Sequence, residues 1–261
     1  MNGAVDLSLI QVVSAYIFII ILLFIVRKRE LNIEKEIIIA TVRMTVQLIL
    51  TGFILTYIFK NPNVFITILI VGFMEIFSIS NIFKRNKSKL SIELKNVITI
   101  SMLAGTLLSL LYFLLIVVKI KPWFNPQYLI PLAGMIVGNS MTGISLGINK
   151  LIDGVTNQRD MIECSLMLGA TPKDACKSII DNAFDSAILP TINSMVGMGI
   201  VFLPGMMTGQ ILSGSLPLVA IKYQIAIMLG ILGSVSITVI TFLNLGYKTF
   251  FNSRMQLKRE G

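Results

Sequence analysis

The sequence predicts an all-α protein that crosses a membrane about seven times, and three observations carry that prediction. Of its 261 residues 55% are hydrophobic and only 13% charged, with a mean hydropathy of +0.84. Several uninterrupted apolar runs reach about twenty residues, the length a helix rising about 1.5 Å per residue needs to cross the hydrocarbon core. Lysine and arginine cluster in alternate loops, the pattern left by loops that stay cytoplasmic.

The expected spans are Val5 to Val26, Ile37 to Phe59, Asn63 to Phe83, Asn96 to Val118, Tyr128 to Ile148, Ile188 to Leu212 and Ala220 to Leu245. The first has no basic residue before its apolar core, a basic cluster directly after it, and a core too long for a signal peptide, so it reads as an uncleaved span. The segment RKRELNIEKE carries four basic residues, KRNKSKLSIELK five, the stretch after the fifth span four and the tail four. The intervening loops share only four, which places the N-terminus outside and the C-terminus inside.

The net charge of +9 is spread over the four basic loops, where anionic headgroups of membrane lipid account for it and nucleic acid does not. Trp123 and Tyr128 suit the outer interface as aromatic anchors. Cys164 and Cys176 stand twelve residues apart on the cytoplasmic side and read as reduced, structural thiols. Histidine is absent, which removes the commonest transition-metal ligand and the usual near-neutral proton shuttle.

No internal repeat is visible, and seven spans do not divide into two equal halves, which argues against an inverted-repeat secondary transporter. The chain lacks GxxxxGK[ST], and none of its polar loops is long enough for a nucleotide-hydrolysing domain. It reads as a single transmembrane domain over 1–261, not an enzyme, with no cofactor of its own. Any ATP and Mg would be bound by a partner.

The cytoplasmic segment from Asn149 to Ala187 has consistent local signals. Asp160 and Glu163 suit the first turn of a short helix that stops at Gly169. Thr171, Pro172 and Asp174 then supply a cap, a proline at the first helical position and an acidic third position. The second helix repeats Ala175, Ile179, Ala183 and Ala187 at intervals of four, an amphipathic pattern that suits a helix lying on the membrane surface. The corner between them is either a well-capped turn or a docking element.

Within that corner, ECSLMLGATP resembles the EAA-type coupling loop of ABC transporter permeases, in which a Glu six residues before a Gly docks into a groove of the ATPase subunit. Glu163 and Gly169 keep this spacing, with Cys164 and Ser165 where small residues are expected. The importer pattern continues with I-x-L-P about ten residues after the Gly, whereas here AILP ends at Pro190, much further on. The ordered blocks VRMTVQLILTGF, LIPLAGMIVGNSM, LMLGATPKDA, LPTINSM, LPGMMTGQIL and KYQIAIM resemble the FetB (YbbM) family of ABC permeases from about Arg43 to Gln256.

That resemblance implies iron export and resistance to oxidative stress, with a FetA-like ATP-binding subunit and an assembly of two permeases and two ATPases. It assigns coupling to Glu163, Leu166, Leu168, Gly169, Ala170, Thr171 and Pro172. Plant relatives are linked to aluminium tolerance and UDP-glucose transport, so export of a nucleotide sugar or another organic solute is the alternative. An ATP-independent channel or membrane scaffold is the alternative of another class.

Charges inside a bilayer are costly, so Arg43 and Glu75, each roughly 9 to 12 Å deep on successive spans, call for explanation. Equal depth suggests a pair that fixes helix packing or lines a cytoplasmic entrance, the other reading being that Arg43 snorkels to the inner interface while Glu75 is neutral; Gln47 stands one turn deeper than Arg43. Asn139 and Met141 in the fifth span and Gln210 in the sixth are further candidates for the path. GMIVG, GISLG and GMMTG provide small residues for close helix contact. Pro204 and Gly205 break the sixth span, leaving Met206 and Met207 at a depth similar to Met135. With Glu75, these methionines form the candidate metal set, or else fill gaps in the packing.

Overall fold

The computed structural model describes residues 6–86 and 90–258. Val5, the expected start of the first span, and the basic residues Lys87, Lys89 and Arg259 lie outside the described residues. Eleven α-helices follow in order among the described residues. They are α1 (Leu9–Ser14), α2 (Ile17–Lys28), α3 (Glu34–Lys60), α4 (Val64–Arg85), α5 (Ile92–Tyr112), α6 (Pro126–Asn157), α7 (Arg159–Met167), α8 (Pro172–Ala175), α9 (Lys177–Gly197), α10 (Gly205–Leu212) and α11 (Pro217–Gly246). A π-helical turn, Phe113–Val118, extends α5, and a 3-10 turn, Tyr247–Phe250, extends α11.

Six of the resulting segments are long and apolar enough to cross a membrane: Leu9–Lys28, α3, α4, Ile92–Val118, α6 and Pro217–Phe250. They coincide with the expected spans one to five and seven. The expected sixth span, Ile188 to Leu212, is not one helix. α9 ends at Gly197, and an irregular stretch separates it from α10. Gly199 sits there at φ +85°, its N–H donating to the Phe202 carbonyl at 2.9 Å. The break therefore begins six residues before Pro204, where glycine releases the backbone, and Pro204 closes it as the cap of α10.

In lipid, apolar surface alone does not hold helices together, so close approach and hydrogen bonds must do so. Ser140 of α6 meets Ser234 of α11 at 3.0 Å. Gly143 and Gly147 of α6 face Val235, Val239 and Phe242, so α6 and α11 run in the same direction. α9 runs the opposite way between them. Ile179 lies against Gly154, where a Cβ would come within 2.5 Å of its Cγ2, and Ala187 lies against Gly147. α5 is also antiparallel to α11, with Gly105 on Thr238 and Gly230 on Phe113. Of the three small-residue motifs, GISLG makes such a close helix contact; Gly138, Gly205 and Gly209 have open space where a side chain would be.

Two expectations for the cytoplasmic segment change. At 32 residues α6 is roughly 48 Å long, so much of the stretch expected as a loop after Ile148 is its continuation. The second helix does not lie along the membrane surface: after Cys176 it becomes α9, burying Ile179, Ile180, Ala183, Ala187 and Thr191 in the bundle. The apolar spacing is present as expected, but the surface it fits is the glycine face of α6 and not lipid. α2 and α3, by contrast, are almost wholly exposed, joined by contacts such as Tyr16 Oη to Thr45 Oγ1 at 2.5 Å.

Candidate functional site

The corner is built from backbone hydrogen bonds. α7 ends at Met167, and the Gly169 N–H donates to the Leu166 carbonyl and the Ala170 N–H to the Ser165 carbonyl, both at 3.0 Å. Gly169 is left-handed at φ +91°, which is why glycine stands there. Thr171 Oγ1 accepts from the Asp174 N–H at 3.2 Å and donates to the Asp174 carboxylate at 2.6 Å, starting α8 with Pro172 as its first residue. The expected punctuation is present, except that Asp160 alone occupies the first turn of α7.

Its outer surface is apolar and unpartnered: Met167 is 83% and Leu168 89% exposed, at the tip of a polar segment. Behind it the chain is anchored. Ile162 and Cys176 are fully buried, and burial pushes the Cys176 thiol up to about 11. Arg159 Nε donates to Glu163 at 2.9 Å and Arg159 Nη2 to the Lys258 carbonyl at 3.3 Å, while the Lys258 ammonium meets Glu93 at 2.6 Å. These contacts tie the start of α7 to the tail and to α5. Glu163 is thus half-exposed and braced within its own helix.

Inside the membrane the expected Arg43–Glu75 pair does not form. The Arg43 guanidinium lies 5.0 Å from the centre of the Phe77 ring. Glu75 is 3% exposed on the other face of α4, among Val71, Ser78, Ile79 and Ile82. Two residues of α-helix amount to about 200° of rotation, so positions 75 and 77 point to opposite sides. Depth along the membrane brings the two residues level, but rotation decides partnership.

Glu75 Oε1 instead accepts from the Thr106 hydroxyl of α5, and its Oε2 is buried without a hydrogen-bond partner. Ser101, Ser109 and Thr238 add buried hydroxyls without hydrogen-bond partners along the α5–α11 contact. Arg43 and Gln47 are brought together, lining a cavity of about 530 Å³ with Glu36, Thr51, Phe77 and Asn81.

The remaining candidates divide. Asn139 is exposed, and its amide turns back to the Met135 carbonyl at 2.7 Å. Met135, Met141 and Met206 are partly buried against the core, and Met207 is buried. Gln210 buries its Oε1 without a partner. Among the described residues no three His, Cys, Asp or Glu side chains gather as a metal site.

Two features escape a reading of the sequence. Gln224 of α11 is 7% exposed, its Nε2 lying 3.6 Å from Met198 Sδ and its Oε1 without a partner. An amide near the start of the apolar run from Ala220 is the available signal. Where the C-terminal part of α6 meets the N-terminal part of α9, Lys150, Asp153, Asn157, Asn182 and Asp185 line a polar pocket of about 410 Å³. Their convergence depends on the antiparallel pairing of two helices, which spacing within either helix does not reveal.

Comparison with known proteins adds the family. Residues 9–251 match the family model described as Uncharacterised protein family (UPF0014). The chain is 36% identical over 93% of its length to the "Probable iron export permease protein FetB" of Escherichia coli K12, covering 92% of that protein. It is 34% identical to the "UPF0014 membrane protein YjkA" of Bacillus subtilis, over 93% of this chain and 95% of the relative. It is 33% identical to "Protein ALUMINUM SENSITIVE 3" of Arabidopsis thaliana, over 96% and 90% respectively. No solved structure matches the chain. With its apolar spanning helices and these relatives at nearly full length, the chain is a multi-pass membrane protein that belongs to the UPF0014 family, the family of FetB.

Proposed function

We propose that this chain is the membrane subunit of an ABC-type exporter in a bacterial cell membrane, moving iron out of the cytoplasm with ATP hydrolysed by a separate FetA-like subunit. The observation that carries the coupling is the corner Leu166 to Pro172: an exposed Met167–Leu168 tip, rigidly capped on both sides, whose second arm becomes α9 and packs between α6 and α11. A push on the tip reaches the bundle without crossing a flexible linker. Iron comes from the name of the Escherichia coli relative. Glu75 supplies the negative side chain on the path.

In this reading the chain crosses seven times with its N-terminus outside, and α9 with α10 forms the sixth crossing. The antiparallel run of α9 between the co-directional α6 and α11 supports that count. Two permeases pair above two ATPases, and the exposed faces of α2 and α3 are where a second copy has room to pack. ATP-dependent uptake into inverted vesicles containing the chain and its ATPase tests the proposal. Ferrous iron uptake that disappears without ATP supports it, and uptake that ignores ATP overturns it.

One observation favours a second reading. Arg43 has no carboxylate within ion-pair distance among the described residues, and it borders the cavity shared with Gln47, Phe77 and Asn81. Glu36 lines the same cavity without pairing with Arg43 there, and a guanidinium beside an aromatic ring suits an anionic organic solute such as UDP-glucose. In that case the nucleotide sugar moves in the same vesicles, and Glu75→Gln leaves its rate unchanged.

A further inference from the structure

We propose that Met198 and Gln224 form a binding site for a soft or borderline transition-metal cation, located where the helix break meets α11. The inference rests on the metal-exporter reading and places ligands at the helix break. Gln224 is nine-tenths buried, flanked along its face of α11 by Ala220, Ile227 and Met228, yet one end of its amide has no hydrogen-bond partner. The other end faces a thioether, the weakest of acceptors, at 3.6 Å. A buried amide is ordinarily satisfied on both ends, so this one is placed for something that is absent from the chain itself.

The separation suits a metal. A cation bound to one oxygen at about 2.1 Å and one sulfur at about 2.3 Å, at a tetrahedral angle, separates its two donors by about 3.6 Å. Turning the amide half a revolution about its terminal bond exchanges nitrogen for oxygen and points Oε1 at the same space as the sulfur. The turn leaves an amide oxygen where the nitrogen now stands, 3.6 Å from the thioether. Thioether sulfur selects soft ions, and amide oxygen accepts harder ones weakly, so the pair suits cuprous or ferrous ion and discriminates against Mg and Ca.

The surroundings let an ion arrive and leave. Met198 belongs to the irregular stretch between α9 and α10, where Gly199 is left-handed and a small backbone change moves the sulfur. α10, which carries Met206 and a Gln210 whose Oε1 is likewise buried and unpartnered, packs against α11. Binding by two weak neutral ligands is loose, as a transport site requires. Met198 is rooted in α9, the arm of the corner, so movement of that arm changes its distance from Gln224.

The test uses the full-length protein in lipid nanodiscs, titrated anaerobically with ferrous and with cuprous ions separately, and X-ray absorption at the metal edge. One bound ion per chain with a sulfur neighbour is expected, its affinity falling at least tenfold in Met198→Leu and in Gln224→Leu and retained for ferrous ion in Gln224→Glu. Absence of binding by both ions, or wild-type affinity in the two leucine variants, overturns the site. A purely structural amide predicts instead that Gln224→Leu raises the melting temperature and leaves metal affinity alone. Vesicle uptake separates this site from the broader reading. If the chain binds metal through both residues but moves none with ATP, the exporter reading falls and the site stands. If the chain transports metal and both leucine variants bind it normally, the site falls and the exporter reading stands.

Discussion

A single side chain can be at the right depth and still face the wrong way, as Arg43 and Glu75 demonstrate. Glu75, locked against Thr106 and buried at Oε2, leaves little room for a change of volume but tolerates a change of charge. Glu75→Gln is therefore expected to fold normally and to lower metal export at least tenfold, measured as vesicle uptake at equal protein. Unaltered uptake would remove Glu75 from the path. The two cysteines give a pH test. With its thiol pushed up to about 11 and no exposure, Cys176 remains protonated and unreactive at pH 8, whereas the exposed Cys164 is open to maleimide. The raised value means that the folded state favours the neutral thiol. This contribution to stability is complete below pH 9 and is lost as pH rises toward 11. Mass spectrometry of labelled protein should find one adduct at pH 8 and a second only as alkali loosens the fold.

Among the elements, α7, α8 and α9 form the proposed lever: the Thr171 cap joins α7 to α8, and the glycines of α6 hold α9 in the bundle. A β-branched residue at Gly169 has to adopt φ near +91°, at a cost of about 1–2 kcal/mol, so the corner opens instead. Gly169→Val is expected to insert and fold but to lose ATP-driven transport, with ATP hydrolysis no longer tied to flux. The lever's stiffness has its own test. A Cβ at Gly154 would lie 3.4 Å from that of Ile179, close to disulfide distance, so Gly154→Cys with Ile179→Cys should oxidise readily and leave transport intact. Loss of transport on oxidation would show that α6 and α9 slide during the cycle. The caps of this lever are readable in the sequence because Thr171, Pro172 and Gly169 act within four residues of themselves. The course of α9 is not, because an amphipathic stripe of Ile and Ala fits a lipid surface and a glycine-lined helix equally well. The same limit explains the sixth span: composition sets its length, while the break at Met198 depends on how Gly197 and Gly199 are used by the backbone.

At the scale of the whole molecule, the bundle is uneven. α4, α5, α6, α9 and α11 share the core, whereas α2 and α3 are attached at its side with little of their surface covered. Hydrogen–deuterium exchange in nanodiscs is accordingly expected to be fastest in α2 and α3 of the lone chain and to slow there by at least tenfold in the complete transporter. Equal protection before and after assembly would locate the second copy elsewhere. Composition suffices for membrane class and most crossings, since these depend on the energetics of transfer into lipid. Assembly and partner choice depend on shape, which only the folded chain displays. The tip of the corner shows how far the two can be separated. Its turn is maintained by main-chain bonds and by Gly169, Thr171 and Asp174, so Met167 and Leu168 contribute nothing to holding it. Evolution is therefore free to rewrite those two side chains without endangering the fold, and under the coupling proposed above, duplicated transporters in one cell can become deaf to each other's motors through changes no larger than a few methyl groups.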